Sequence, residues 1–495
     1  MRKFRLPKHK RQVAGRKALI GAVTAAALAN PLPAFAQSVD LSQWSPDYVR
    51  SIAGTATYDT AADCGAVVPN DYSGRVTYWY TGPFESEPQI AHDMDAAFWV
   101  AFKEAYPNIE TDVQSITYAE LLDRFRTTLL GNAAPMVVRL QILGGVEFAA
   151  KGYLEPLRPE DVGYSSADFW PGALKSVTWD GTGYGIPTNN ETMALIWNAE
   201  IFERAGLDPE SPPATWDDVV AYSKQIKDNL GVSGYGLVAR QNHGNTPFRF
   251  MPTIWAYGGG ALDEAADTPS YDEIWLDNEG SKAALQAAYD MYVRDQSVPT
   301  GALTNSQADN QAPFIAGQLA MMIAHPAEYA RMLDLASQAT GTDKEVADAV
   351  VANMRYGLIP EGPDRRAVVF GGSNIHVVKP EYVEGDFDEQ AVKALICMWT
   401  SPEWSTKHAW VGSNPGHLGG FRTEWMKERL DTIRFLDVTT SMLPNGVPFP
   451  VIPEAPEIMN IIVPDMLQNA LTGAMTVDEA AADAAEKVRE LVSGL

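Results

Sequence analysis

The sequence is poor in cysteine and histidine, and it lacks the common short signatures of catalytic sites. Two cysteines among 495 residues are too few for a framework of several disulfides or for a zinc site built from cysteines. The seven histidines include no pair four positions apart, and the patterns GxSxG, GxxxxGK[ST] and HExxH are missing. These absences argue against a serine hydrolase, a phosphate-loop enzyme and a zinc protease, and neither a metal nor a cofactor is expected.

Positive charge is scarce as well. Lysine and arginine number 38 against 63 aspartates and glutamates, which gives a formal net charge of −25. Nucleic acids and anionic membranes select for lysine and arginine, so neither is an expected partner. The chain also lacks internal repeats and low-complexity tracts, which argues against a structural or adhesion protein.

Long apolar runs are absent after residue 36. The run at 18–29 follows eight lysines and arginines and precedes Ala34-Phe35-Ala36. This is the pattern of a secretory signal peptide over 1–36, cut before Gln37. The alternative, a membrane anchor, is disfavoured because the run falls short of the roughly 20 residues that a span needs. The sequence therefore predicts export to the periplasm, where Cys64 and Cys397 are either one disulfide or two buried thiols.

The chain exceeds the roughly 250–300 residues at which single hydrophobic cores stop growing, so two lobes are expected. From residue 75 the pattern alternates between strand and helix, beginning with RVTYWYTG and reaching PMVVRLQI at 135–142. Such alternation is typical of a parallel α/β unit, which binds ligands beyond the carboxyl ends of its strands. Here those ends carry Tyr80, Thr81, Glu85 and Gln141.

The stretch GYGIPTNNETMALIWN, at 183–198, interrupts an apolar strand pattern with five polar residues. A buried strand does not normally carry such residues, because each buried polar group needs a partner. Asn189, Asn190 and Glu191 are therefore expected to border water or a ligand. The alternative is that they satisfy the main chain of a turn.

An ordered series of segments over roughly 75–490 resembles a known family. The series includes VTYWYTG, AKGYLEPL, the long segment from FWPGALKSV to ATWDDVV, FIAGQLAMMI, GGSNIHVVKP and MWTSPEWSTKHA. It is similar to the extracellular solute-binding proteins of ABC sugar importers, family 1, which include the maltose-binding and glycerol-phosphate-binding proteins.

The resemblance implies an α/β, two-lobed periplasmic-binding-protein fold of type II. Each lobe would be a mainly parallel sheet flanked by helices, and hinge strands near 188–192, 357–361 and 412–417 would join the lobes. The implied division is 1–36 signal peptide, 37–73 N-terminal extension, 74–190 plus 359–412 first lobe, and 191–358 plus 413–495 second lobe. The extension has no assigned role.

The resemblance also implies ligand-binding positions. Glu191 falls where maltose-binding protein has a sugar-facing glutamate, and Phe248 falls where it has a sugar-stacking tyrosine. Ala327 replaces the usual stacking tryptophan, which makes a maltodextrin ligand doubtful. The remaining candidates are Arg249, Trp255, His325, Glu328, Gly372, Ser373, Asn374 and His417. Core packing, a helix start and a tight turn are their alternative roles.

The predicted function is the substrate-binding component of an ABC importer. It would be a monomer that captures a sugar or polyol between its lobes and delivers it to the permease subunits at the inner membrane. A charged sugar stays open, with Arg139, Arg249 and Arg422 as candidate partners for an acidic group. The alternative is a secreted carbohydrate-active hydrolase that uses paired carboxylates.

Overall fold

The computed structural model describes residues 44–83, 89–242, 244–263, 271, 273–409 and 413–493. The predicted signal peptide and Glu85 lie outside these residues. No helix in the described part of the chain is both long and apolar enough to cross a membrane.

The described strands are numbered β1 to β14 in chain order. Their bounds are Gly74–Tyr80, Ile109–Ser115, Val137–Gln141, Thr178–Trp179, Thr182–Gly183, Ile186–Glu191, Ala194–Asn198, Ser233–Tyr235, Leu319–Ala324, Met354–Gly357, Val368–Val369, Gly371–Val377, Asn414–Pro415 and Gly446–Val447.

The described α-helices are numbered α1 to α20 in the same way. Their bounds are Pro46–Ile52, Thr60–Val67, Gln89–Ala105, Tyr118–Leu130, Gly145–Ala150, Pro171–Lys175, Ala199–Ala205, Trp216–Leu230, Asn245–Ala256, Glu279–Tyr289, Gln311–Ile315, Pro326–Gln338, Gly341–Asn353, Glu389–Thr400, Pro402–Lys407, Glu424–Thr432, Leu436–Ser441, Ala455–Glu457, Val463–Leu471 and Val477–Val492.

The larger sheet has six strands in the order β13-β6-β12-β3-β1-β2. Its β1, β2 and β3 are parallel and alternate with α3 and α4, so the predicted α/β unit is confirmed. On the other side, β12 runs antiparallel to β3 and β6, and β13 runs antiparallel to β6. Of these strands, β12 is the one that follows the return of the chain from the second sheet.

The second sheet has four strands in the order β10-β7-β9-β8. Strands β8 and β9 are parallel, whereas β7 is antiparallel to both β9 and β10. Every residue of β7 and β9 is buried, as is typical of strands covered on both faces. Each main sheet has its own cluster of buried apolar side chains.

The chain passes from the first sheet to the second between β6 and β7, and it returns between β10 and β12. Strand β13 pairs with β6 in the first sheet, although 413–495 is predicted to belong to the second lobe. The pairing places 414–415 with the first lobe. The other lobe boundaries stay a prediction.

The N-terminal extension is more ordered than its sequence suggests. Ser45 caps α1 through its side chain, Pro46 starts that helix, and Asp59 caps α2 in the same way as Ser45. Cys64 of α2 and Cys397 of α14 form a disulfide with their Cα atoms 5.8 Å apart. Of the two states left open for the cysteines, the disulfide is therefore the one adopted.

Candidate ligand-binding site

A cavity of about 820 Å³ lies between the two main sheets. We call it the cleft. Its first wall comes from the ends of β1, β3, β6 and β12, and its second wall comes from α9 and the start of α12. Ten predicted site residues line it: Tyr80, Thr81, Gln141, Asn189, Glu191, Phe248, Arg249, His325, Glu328 and Ser373.

Three other predicted residues turn away from the cleft to bond elsewhere. The Asn190 side chain donates to the main-chain oxygen of Pro415 at 3.0 Å, because neighbouring strand residues point to opposite faces. Asn374 donates to the hydroxyl of Ser176 at 3.3 Å. His417 is buried, and it accepts from the Gly419 amide at 2.9 Å.

Trp255 and Gly372 are also displaced from their predicted roles. Trp255 has no exposed surface and packs in the apolar cluster around the second sheet. Gly372 has φ of +134°, and a Cβ there would lie 2.2 Å from the carbonyl oxygen of Asn189. This glycine therefore permits close approach of β12 to β6, not of the main chain to a ligand.

Glu191 is the best-connected acidic side chain in the cleft. Its Oε1 accepts from Asn189 Nδ2 and from Ser413 Oγ, both at 3.1 Å, and its Oε2 lies 3.4 Å from Nε2 of His325. Burial alone would raise the pKa of Glu191. The charge and hydrogen bond of His325, the Ser413 hydroxyl and the charge of Arg139 lower it to about 2. Glu191 is thus a carboxylate that can only accept.

His325 faces Glu191 from the opposite wall. It is the N-cap of α12, and its Nδ1 accepts from the main-chain amide of Ala327 at 3.2 Å. Because Nδ1 is engaged by this amide, Nε2 is the ring nitrogen that faces Glu191. The Glu191–His325 contact therefore joins the two walls of the cleft.

Arg249 and Glu328 form a buried ion pair on the second wall. Their side chains are 6% and 4% exposed, and Arg249 also donates to Asn245 Oδ1 at 3.1 Å. Glu328 accepts from the main-chain amide of His325 at 3.3 Å, closing a capping box. Glu328 is thus the counter-ion of Arg249, and an acidic ligand group at this arginine would have to compete with it.

Arg139 forms hydrogen bonds with several residues of the first wall of the cleft. Its guanidinium donates to Thr188 Oγ1 at 2.8 Å, to Asn189 Oδ1 at 2.7 Å and to the main-chain oxygen of Thr81 at 3.4 Å. Holding the oxygen of Asn189 leaves its amide nitrogen directed at Glu191. Arg139 is therefore a positioning residue for the Glu191 carboxylate.

Aromatic side chains line both walls of the cleft. Tyr80 packs edge-on against Trp399, with ring centres 5.4 Å apart, and donates to Asp95 Oδ1 at 2.7 Å. Trp399 stacks on His408 at 4.0 Å. Burial raises the pKa of Asp95. Burial is also the largest of the causes that lower the pKa of His408 well below its usual value. On the second wall, Phe248 meets Phe449 edge-on at 5.0 Å.

Sequence reasoning missed several polar and aromatic residues that line the cleft. Trp399 lies within the apolar run of α14, where an aromatic residue is expected to be core, and Asn460 and Ser413 carry no local pattern. The missed residues are Asp95, Asn242, Asn245, Gln307, Arg331, Trp399, His408, Ser413 and Asn460.

The ionic side chains of the cleft are balanced. Arginines 139, 249 and 331 match the carboxylates of Asp95, Glu191 and Glu328. Amides, hydroxyls and aromatic rings make up much of the remaining surface. No group of three or more side chains that could hold a metal occurs within the described ranges. Such a lining can bind hydroxyl groups at their rims and apolar C–H surfaces on its rings.

Comparison with known proteins agrees with this architecture. A Brucella abortus (strain 2308) protein, named as a binding protein without a stated ligand, is 26% identical over 441 residues, which cover 86% of this chain and 93% of that protein. The sn-glycerol-3-phosphate-binding periplasmic protein of Escherichia coli (strain K12) is 30% identical over 117 residues, or 22% of this chain and 26% of that protein.

Solved structures share the fold over most of the chain. An ABC transporter solute-binding protein of Thermotoga lettingae, bound with α-D-tagatose, has a TM-score of 0.65 at 25% identity and covers 84% of this chain and 99% of its own. The maltose-bound MalE3 of T. maritima has a TM-score of 0.67 at 22% identity, with 85% and 100% covered.

The family model for the bacterial extracellular solute-binding proteins matches residues 86–404, more than half of the chain. Taken with the two-sheet architecture and its intervening cleft, this match shows that the chain belongs to the bacterial extracellular solute-binding proteins.

Proposed function

We propose that this protein captures an uncharged sugar or polyol in the cleft and delivers it to the membrane subunits of an ABC importer. The observation that carries the proposal is the lining of the cleft. It combines a fixed carboxylate acceptor, Glu191, with amide and hydroxyl groups and with aromatic side chains on both walls. Sugars present these same complementary features, namely hydroxyl rims and apolar faces.

The balanced charges favour a neutral ligand over a sugar acid or phosphate. The Arg249 guanidinium already has its counter-ion in Glu328, and Arg139 is held by Thr188 and Asn189. An anionic group that entered would compete with existing partners and would have to lose its own hydration. The tagatose bound by the Thermotoga lettingae relative is a ligand of the proposed class.

Ligand capture is proposed to close the lobes about the chain crossings near 188–192, 357–361 and 413–415. Contacts made with both walls at once supply the free energy that favours the closed form. The closed protein, a monomer in the periplasm after removal of 1–36, then docks on the permease.

A secreted hydrolase is the alternative function, and the electrostatics of the cleft disfavour it. A glycosidase needs one carboxyl group whose raised pKa lets it act as a general acid. Glu191 has its pKa lowered to about 2. Asp95 has a raised pKa, but its Oδ1 accepts from the Tyr80 hydroxyl.

A thermal-shift screen tests the proposal. The chain from residue 37 onward would be unfolded, freed of endogenous ligand, refolded and mixed with neutral sugars, polyols, sugar phosphates and sugar acids. A ligand at one hundred times its Kd adds about 2.7 kcal/mol of stability. We expect a neutral sugar or polyol to raise the Tm of the wild type.

Glu191→Ala should lose this shift, while Glu381→Ala, which changes an exposed glutamate outside the cleft, should keep it. A shift produced only by phosphates or sugar acids would refute the neutral class. No shift with any solute, together with turnover of a chromogenic glycoside, would refute the binding function.

A further inference from the structure

Residues 44–73, which we call the strap, contact elements that belong to both main sheets. None of them lines the cleft. The segment carries α1 and α2, separated by a connection at 53–59. Any influence on ligand capture must therefore act through the relative position of the two sheets.

The first anchor of the strap is α1. Trp44 donates from Nε1 to the main-chain oxygen of Thr440 at 3.0 Å, and its ring meets Phe421 edge-on at 5.1 Å. Arg50 pairs with Asp437 at 2.8 Å, and Val49 is fully buried. Helix α1 is thus fixed to α17 by apolar, hydrogen-bonded and ionic contacts together.

Helix α17 in turn touches the second sheet and two of the crossings. Phe435, at its start, packs on Tyr329 and Tyr356, with ring centres 5.5 and 5.7 Å away. Thr192, between β6 and β7, donates to the main-chain oxygen of Thr439 in α17. Thr440 of α17 donates to Asn414 in β13. A helix held against α17 is therefore held beside the hinge.

The second anchor is α2, which is fixed to the first sheet. The Cys64–Cys397 disulfide joins it covalently to α14, and Val68 is buried in the cluster around the six-stranded sheet. Asn70 donates to the main-chain oxygen of Ala105 in α3 at 3.1 Å. This end of the strap cannot leave the first sheet while the disulfide is intact.

The connection between the anchors is pinned along its length. The main-chain amides of Gly54 and Ala56 donate to the carbonyls of Thr423 and Arg422 at 3.1 and 2.9 Å. The Tyr58 hydroxyl donates to the carbonyl of Gly419 at 3.1 Å. These bonds hold the connection against residues 419–423 along its course between the two anchors.

We infer that the strap restrains rotation of the two lobes by tying α17, beside the hinge, to α14 on the first sheet. This inference rests on the lobe movement of the proposed function, but it requires no particular ligand. It gives the N-terminal extension a mechanical role, setting how far the cleft opens when it is empty.

Cutting the strap in the intact protein tests the inference. A protease recognition sequence would be inserted between Thr57 and Tyr58, and spin labels would be attached at Leu130→Cys on α4 and Val346→Cys on α13. Both positions are exposed, at 79% and 43%. The native cysteines are paired and take no label. The distance distribution between the labels is then measured on the ligand-free protein before and after cleavage.

Cleavage is expected to broaden the distribution, because the anchors then move independently. The control carries the same insertion after Gly385, an exposed turn in which nothing lies within 4 Å of an added Cβ, and its cleavage should change nothing. Identical distributions before and after cutting the strap, or equal broadening in the control, would overturn the inference. Because cut and uncut samples come from one folded protein, misfolding cannot imitate the result.

An independent variant addresses the same anchor without cleavage. Trp44→Ala with Arg50→Ala removes the α1 contacts and should also broaden the distribution, whereas Asp47→Ala, on the exposed side of α1, should not. A positive sugar screen with unchanged distances would refute the strap alone. A negative screen with broadened distances would refute sugar capture and leave the strap supported.

Discussion

Removing one charge of the Arg249–Glu328 pair should destabilise the protein strongly. Glu328→Gln keeps the size of the side chain and an oxygen that can still accept from the His325 amide. It leaves the Arg249 guanidinium, 6% exposed, without its counter-ion. The guanidinium also donates to the side chain of Asn245, which carries no charge.

The magnitude follows from burial. Breaking a buried ion pair by removing one partner costs about 3–5 kcal/mol, because the other charge stays desolvated. Whole proteins are stable by about 5–15 kcal/mol, so this loss is a large fraction of the total. Arg249→Met combined with Glu328→Gln removes both charges and should recover most of the loss.

Urea unfolding followed by tryptophan fluorescence measures these differences, with the single variants and the double variant forming a cycle. Glu381→Gln, at an exposed position, is the matched control and should stay within about 0.5 kcal/mol of wild type. A cost below about 1 kcal/mol for Glu328→Gln, or a double variant less stable than the single, would refute the reasoning.

Three further outcomes are expected. Because the pKa of Glu191 falls from 4.5 to about 2 on folding, its ionised form contributes stability above about pH 4.5 that is lost as pH falls toward 2. The stability difference between wild type and Glu191→Gln should therefore shrink over that window in urea titrations. Cys64→Ser with Cys397→Ser should cost about 2–5 kcal/mol, and reductant should destabilise the wild type alone. Gly372→Ala should lower both Tm and sugar affinity, because its Cβ would collide with β6. Gly385→Ala, at a φ of +84° but in open space, should cost less.

The sequence predicts those parts of the fold in which the local pattern extends over many residues or in which two residues mark the same feature. The alternation of strand and helix from β1 to β3 is confirmed, and α20 opens with a capping box between Thr476 and Glu479. Strand β10 ends at Gly357, although Leu358 and Ile359 continue the apolar pattern. Pro360 has no amide to donate to a ladder, so the pattern of apolar residues there was not a strand signal.

The extension shows what periodicity cannot detect. Helices α1 and α2 have seven and eight residues, too few for a 3.6-residue period to stand out. Their signals are the caps, Ser45-Pro46 and Asp59. What holds them in place is contact with α17 and α14, hundreds of positions away, which no local window contains.

In the candidate site, too, some residues can be predicted from the local sequence and others depend on distant contacts. The run of polar residues at 188–192 indicates a strand that borders water or a ligand. Because neighbouring side chains of a strand point to opposite faces, Asn189 and Glu191 line the cleft whereas Asn190 does not. That alternation follows from the strand pattern of the sequence itself. Trp399 and Asn460 were out of reach, because only the packing of distant elements brings them to the cleft.

The engagement of Glu191 has a consequence for affinity. Both of its oxygens already have partners, Asn189 and Ser413 on one and His325 on the other. A ligand hydroxyl that reaches this carboxylate must replace or share an existing contact, so the net gain is only the difference between two hydrogen bonds. Since His325 belongs to the opposite wall, displacing it also weakens a contact that holds the walls together. Net affinity must then come from the aromatic rings and from bonds to both walls, and a ligand too small to reach both walls should bind weakly.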